Sequence, residues 1–341
     1  MDSAQDTVKL QKQKVAGANI PDYVKQKLLS QLEFPGTGNE LSRLISYIDF
    51  CLSLPFNKLS QDILDIHRAK EILDKNHYGL QTVKERILEY LSVLILHKKN
   101  NEYAPFHAPI LAFIGLVGTG KTSIAYSIAE SLGRPLVRLP FGGIGDAVQL
   151  RGESRVKGEA EPGQIIKAIK ASGVNNPVIL LDEIDRIAES GRVDIMGVLV
   201  ELLDPAQNQS FVDHYLDFPY DLSQVMFIAT ANNTANIATA AMDRLEPIQM
   251  PSYSDEEKLI IAKQYLLPKA LNGAGVRKDL VKFDDVVWPQ VIRPLGFDAG
   301  IRSLARTLET ISRKIAKKII EGEPGPFNIN SENIREYLGE S

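Results

Sequence analysis

One stretch of this chain restricts its fold more than any other: residues 112–123 read AFIGLVGTGKTS, an apolar run that turns abruptly into glycine and closes on Lys-Thr-Ser. Gly115, Gly120, Lys121 and Thr122 satisfy the spacing G-x-x-x-x-G-K-S/T, and Gly118 adds a further glycine inside the loop. A backbone that curls around phosphates points its N–H groups inward, where a Cβ would collide, so the loop needs glycine. Lys121 brings positive charge to the β- and γ-phosphates, and Thr122 offers a hydroxyl to Mg²⁺. Leu116, Val117, Thr119 and Ser123 fill the other positions of the cradle. The amphipathic helix that follows, carrying Ile124, Ala125, Ile128, Ala129 and Leu132, directs its positive dipole end at the same phosphates. With a buried strand before it and a helix after it, the string predicts a nucleoside triphosphate site on an α/β sheet.

From Pro109 onward, short apolar runs alternate with amphipathic helices: ILAFIG, a helix to Leu132, LVRLP, a helix near Gln164 to Ser172, VILLD, MGVLVELLD and VMFIAT. Such alternation implies parallel strands joined by helical crossovers, with both faces of the sheet covered. The first hundred residues read instead as helix. Leu41, Leu44, Ile45, Ile48 and Leu52 recur at three- and four-residue steps up to Pro55, a similar stripe runs from Val83, and Gly79 marks a break between helices. After Pro251 no further strand is expected, and Ile301, Leu304, Leu308, Ile311, Ile315 and Ile319 form one long stripe. The expected organisation is a helical segment over 1–75, an α/β domain over 76–251 and a small helical domain over 252–341.

Bulk properties exclude more than they assign. The net charge is −4, with lysines and arginines scattered among the acids, which argues against DNA as a partner. Cys51, the single cysteine, has no internal disulfide partner and fits a reducing compartment. No apolar run reaches the roughly 20 residues that span a bilayer, and the polar start lacks a signal-peptide core, so a cytoplasmic protein without a membrane partner is expected.

A second signal lies about sixty residues beyond the phosphate loop, where VILLDE ends a strand in two acids. Asp182 is placed to hold Mg²⁺ through water, and Glu183 to polarise an attacking water. In FIATANN a strand ending at Thr230 delivers Asn232 to the carboxyl edge of the sheet, where open α/β sheets bind ligands. An amide there either positions water and senses the γ-phosphate or caps a turn, and the strand alone does not choose between the two. Arg244, before the last expected strand, and Arg302, opening the long C-terminal helix, are candidates for stabilising transition-state charge; spacing assigns neither a role.

Taken together, GLVGTGKTS, VILLDEIDRI, ELLDPAQNQSFVDHYLDFPYDLSQVMFIATAN, MDRLE and DAGIRSLAR resemble the AAA+ module of the Lon family of ATP-dependent serine proteases, with the likeness running from about Ile20 onward. The resemblance implies an AAA+ P-loop NTPase sheet, preceded by a helical segment and followed by a helical lid. It implies Gly115 to Thr122 as Walker A, Asp182 and Glu183 as Walker B, Asn232 as sensor 1, Arg244 as an arginine finger acting on a neighbouring subunit and Arg302 as sensor 2. It also implies His77 and Tyr78 at the adenine pocket, a core position for Tyr78 being the alternative. ATP or ADP with Mg²⁺, a homohexameric ring, and unfolded or damaged protein substrates handled in protein quality control are the implied ligands and partners. A stand-alone AAA+ unfoldase or chaperone is the alternative reading.

Two departures stand out. Relatives carry an aromatic-aliphatic pair in the loop that grips polypeptide, where RGESRVKGEAEPG holds Lys157 and Gly158, so gripping is expected to be weaker, to favour acidic segments, or to use the loop around Phe211 to Tyr215. The peptidase domain with its Ser-Lys dyad is expected beyond Ser341, which makes this chain an expected fragment of a longer protein. Leu116 and Val117, where relatives commonly carry two prolines, leave the glycine cradle intact.

Overall fold

The computed structural model describes residues 2–100, 109–293 and 300–338. Its strands are β1 (Ile110–Ile114), β2 (Leu136–Pro140), β3 (Val178–Asp182), β4 (Phe211–Asp213), β5 (Phe218–Tyr220), β6 (Met226–Ala231), β7 (Leu245–Gln249), β8 (Val281–Phe283) and β9 (Phe327–Ile329). Five of them form one sheet in the order β2-β3-β6-β1-β7, every pair parallel. β1, β3 and β6 are buried along their whole length, which is why they read as unbroken apolar runs.

Side chains of these strands alternate between two cores. Ile179 and Leu181 of β3 and Ala112 of β1 join the core that also holds Val24 and Ile48 from the N-terminal helices. Val178, Leu180, Leu111 and Phe113 point the other way, onto Ile124, Ile128, Leu73 and Ile87. The helices of the first hundred residues are α1 (Asp2–Gly17), α2 (Asp22–Gln31), α3 (Asn39–Leu52), α4 (Ile66–Asn76) and α5 (Gln81–Asn100). α4 starts where the Asp65 carboxylate accepts from the N–H groups of His67 and Arg68, and it packs on α6 (Lys121–Leu132) inside the sheet's second core.

The C-terminal unit has a core of its own, built on Trp288, Leu304, Leu308, Ile311 and Ile315. Of the six stripe residues, four within the helix Arg302–Ile320 are buried, while Ile319 and Ile301, which stands just before the helix, are partly so. The expectation that strands stop after Pro251 is corrected: β8 and β9 pair in parallel, Val281 opposite Phe327 and Phe283 opposite Ile329. Three residues each, VKF and FNI are too short to display a period. Asp298 and Ala299 of the stretch DAGIRSLAR lie outside the described residues.

Candidate active site

The strand order puts the chemistry on three neighbours. β6 lies between β3 and β1, so the phosphate loop leaving β1, the two acids ending β3 and Asn232 following β6 open at one carboxyl edge. There a cleft of about 360 Å³ is lined by Gly118, Lys121, Thr122, Asp182, Glu183, Asn232 and Arg302, among others.

The loop holds its shape by close backbone packing. Gly118 and Gly120 adopt φ +83° and +97°, left-handed backbone that side-chained residues rarely take. A Cβ on Gly115 would come within 2.7 Å of the Met250 carbonyl oxygen, and one on Gly118 within 3.1 Å of the Arg302 nitrogen. Thr119 is fully buried, its hydroxyl donating to the Leu116 carbonyl at 2.9 Å, whereas Leu116 is exposed to solvent. Ser123 and Val117 border the cleft.

Lys121 is buried, and its ammonium donates to the carbonyls of Gly115 (2.5 Å) and Leu116 (2.9 Å) and to Asn232 Oδ1 (3.1 Å). Burial lowers its pKa from the ordinary lysine value, against the opposing pull of Asp185, Glu183 and Asp182. Asn232 therefore spends its oxygen on Lys121, and among the described residues that oxygen caps no turn and the buried Nδ2 donor meets no protein partner. A buried donor wants an acceptor. A phosphate oxygen or a water in the cleft is the acceptor this geometry suits, so the residues present fit a nucleotide.

Asp182 is 3% exposed and richly bonded. Thr230 donates its hydroxyl to Oδ1, Thr122 Oγ1 stands 3.5 Å from the same oxygen, and Arg138 Nε donates to Oδ2 at 2.6 Å. Thr122 and Asp182 are the two protein groups that would hold Mg²⁺. Among the described residues no group of three His, Cys, Asp or Glu side chains stands ready for a metal, so such an ion would draw its other ligands from phosphate and water. Glu183 has φ +58°, an uncommon conformation for a non-glycine residue, fixed by a hydrogen bond from its N–H to Thr230 Oγ1 at 2.9 Å. The strand ends there and the carboxylate turns toward the cleft, 3.4 Å from Arg186.

Not every candidate meets in this cleft. Arg244 stands apart from it, donating to Asp204 at 2.8 Å and to the Ala240 carbonyl at 2.7 Å. His77 is buried against α6, its Nε2 2.8 Å from Ser127 Oγ, and Tyr78 is partly buried against the second core. Neither borders the phosphate cleft. In the alternative gripping loop Phe211 is fully buried and Tyr215 packs edge-on against Tyr47 and Phe50, while Val212 and His214 are exposed. Buried Asp213 locks that hairpin, accepting from the N–H groups of Gly163, Tyr215 and Leu216. In the other loop Val156 is 96% exposed, and Lys157 and Gly158 are exposed beside it.

Sequence reading missed Arg138 and Thr230. A signal for Arg138 existed: it is the one charge in the strand LVRLP, and Pro140 pairs with Asp182, so Arg138 lies on the same face two residues back.

The comparisons follow the same outline. The family model for the ATPase family associated with various cellular activities (AAA) matches residues 111–253, and the one for the Lon protease AAA+ ATPase lid domain matches residues 272–327. Lon protease of Lawsonia intracellularis is 43% identical over 326 residues, covering 94% of this chain and 39% of that protein. Lon protease of Aquifex aeolicus is 46% identical over 294 residues, 86% of this chain and 36% of its own. Lon protease 2 of Thermus thermophilus is 42% identical over 339 residues, 96% and 42% respectively. The chain thus spans about two fifths of the length of these relatives. Among the described residues no helix is long and apolar enough to cross a membrane.

Proposed function

The chain is a Lon-type AAA+ ATPase module, and from that premise we propose that it hydrolyses ATP with Mg²⁺ and uses the work to unfold protein substrates and move them toward a peptidase of the Ser-Lys type. The observation that carries the ATPase reading is the convergence of Lys121, Thr122, Asp182, Glu183 and Asn232 on one cleft at the carboxyl edge of the sheet. Loop N–H groups and Lys121 take the phosphates, and Asn232 Nδ2 offers a donor to the terminal phosphate or to water. Glu183 orients and polarises the attacking water. Mg²⁺, held by Thr122 and through water by Asp182, would neutralise charge on the phosphates.

Arg302 stands at the lid edge of the cleft and would add charge stabilisation within the same chain. Arg244, turned away from its own cleft, suits a role on a neighbour's nucleotide, which in turn calls for a ring, here a homohexamer. His77 and Tyr78, at the end of α4, would border the adenine side. The division at about residues 75 and 251 is proposed with α4 as the joint between the first two parts. A reducing, cytoplasmic setting is likewise proposed, on the strength of the buried free Cys51.

Two variants test the reading. Lys121→Ala should abolish nucleotide binding, while Glu183→Gln should keep binding and lose turnover. Steady ATPase in the Gln variant would refute the role given to Glu183.

A further inference from the structure

Resting on the reading of Asp182 as the metal-side carboxylate, we propose that Arg138 competes with the divalent cation at Asp182 and so sets the metal affinity of the nucleotide site. The juxtaposition is direct: Arg138 Nε and Nη2 both lie 2.6 Å from Asp182 Oδ2. Oδ1 already receives the Thr230 hydroxyl and faces Thr122. A carboxylate has about four lone-pair positions. Two guanidinium nitrogens on Oδ2 and the Thr230 and Thr122 hydroxyls on Oδ1 already fill them, so the hydration shell of a divalent cation must displace one of these donors.

The partner that yields is identified by burial. Thr230 is fully buried and also accepts the N–H of Glu183, so its hydroxyl is fixed from two sides. The Arg138 side chain is 51% exposed, against 5% for Asp182, so releasing the arginine returns it to water at small desolvation cost. Arg138 also borders the phosphate cleft, where a released guanidinium meets phosphate oxygens, its preferred planar partner. Arg138 is therefore a positioning residue that acts through Asp182.

The sign of one measurement separates competition from mere support. A residue that only props Asp182 in place strengthens metal binding, so its loss weakens the metal; a competitor does the reverse. The test titrates Mn²⁺, followed by electron paramagnetic resonance, into the full chain saturated with ADP. Arg138→Gln should bind Mn²⁺ about threefold to tenfold more tightly than wild type, with ADP affinity in EDTA not increased. Arg138→Lys, which keeps the charge and loses the fork, should fall between. Placed on Asp182→Asn, the effect of Arg138→Gln should vanish. Unchanged or weaker Mn²⁺ binding in Arg138→Gln, or an undiminished effect on Asp182→Asn, would overturn the proposal while leaving the nucleotide site standing. No ADP binding by the wild-type chain would overturn both.

Discussion

Ile301 donates its backbone N–H to the carbonyl of Gly118 at 3.0 Å, which hydrogen-bonds the lid's long helix directly to the phosphate loop. The loop is thus clamped between Met250 at the end of the sheet and the first residues of the lid. Any shift of the lid relative to the sheet is felt where the phosphates would sit.

That clamp predicts an asymmetry among glycines. Gly118→Ala introduces a Cβ at 3.1 Å from the Arg302 nitrogen in a left-handed backbone, with a strain of about 1–2 kcal/mol. Nucleotide affinity should fall about tenfold. Gly197→Ala, exposed within the helix Arg192–Leu203, where among the described residues nothing beyond its chain neighbours and the helix's own backbone comes within 4 Å of the new methyl, should instead raise stability by about 0.5–1 kcal/mol. Calorimetric nucleotide titration and urea denaturation of both variants check the pair.

Arg244 predicts a dependence on concentration. Its pair with Asp204 is partly exposed, and that contact holds the Asp204 carboxyl below its ordinary value. Pairs of this kind are worth under about 1 kcal/mol, so Arg244→Ala should scarcely change folding. If the guanidinium serves a neighbour, the variant should bind nucleotide as wild type does and lose turnover only at concentrations where wild-type chains associate. Turnover measured across a dilution series is the check; an equal loss at every concentration would count against action in trans.

How much of this was legible beforehand follows from how local each signal is. The glycine loop, the paired acids and the buried parallel strands declare themselves within a dozen residues, and Lys121, Asp182 and Asn232 do meet in one cleft. Arg138 was harder to find because its meaning depends on the register of β2 against β3, a long-range fact. The burial of Phe211 was not legible locally, because it depends on the β4–β5 hairpin and on the contacts that Asp213 organises with Gly163, fifty residues away. The β8–β9 pair escaped notice because two three-residue strands, far apart in the chain, carry no period of their own.

His77 supplies a prediction in pH. Burial, reinforced by the nearby Lys84 ammonium, lowers its pKa from 6.5 to about 4, so the fold favours the neutral ring. The Lys84 charge is itself held close, donating to the His77 carbonyl at 2.7 Å and to Asp74 at 2.8 Å. As pH falls below about 6.5 the unfolded chain takes up a proton here that the folded chain refuses until about 4. Stability from this residue is therefore complete above pH 6.5 and is lost progressively down to about pH 4, with a total on the order of 3 kcal/mol. Replacing the ring by Asn removes the titration and leaves a polar group to meet Ser127. Urea midpoints of wild type and His77→Asn, compared from pH 7.5 to 4.5, should converge as the pH drops. A constant gap between them would show that the ring is not held neutral by the fold.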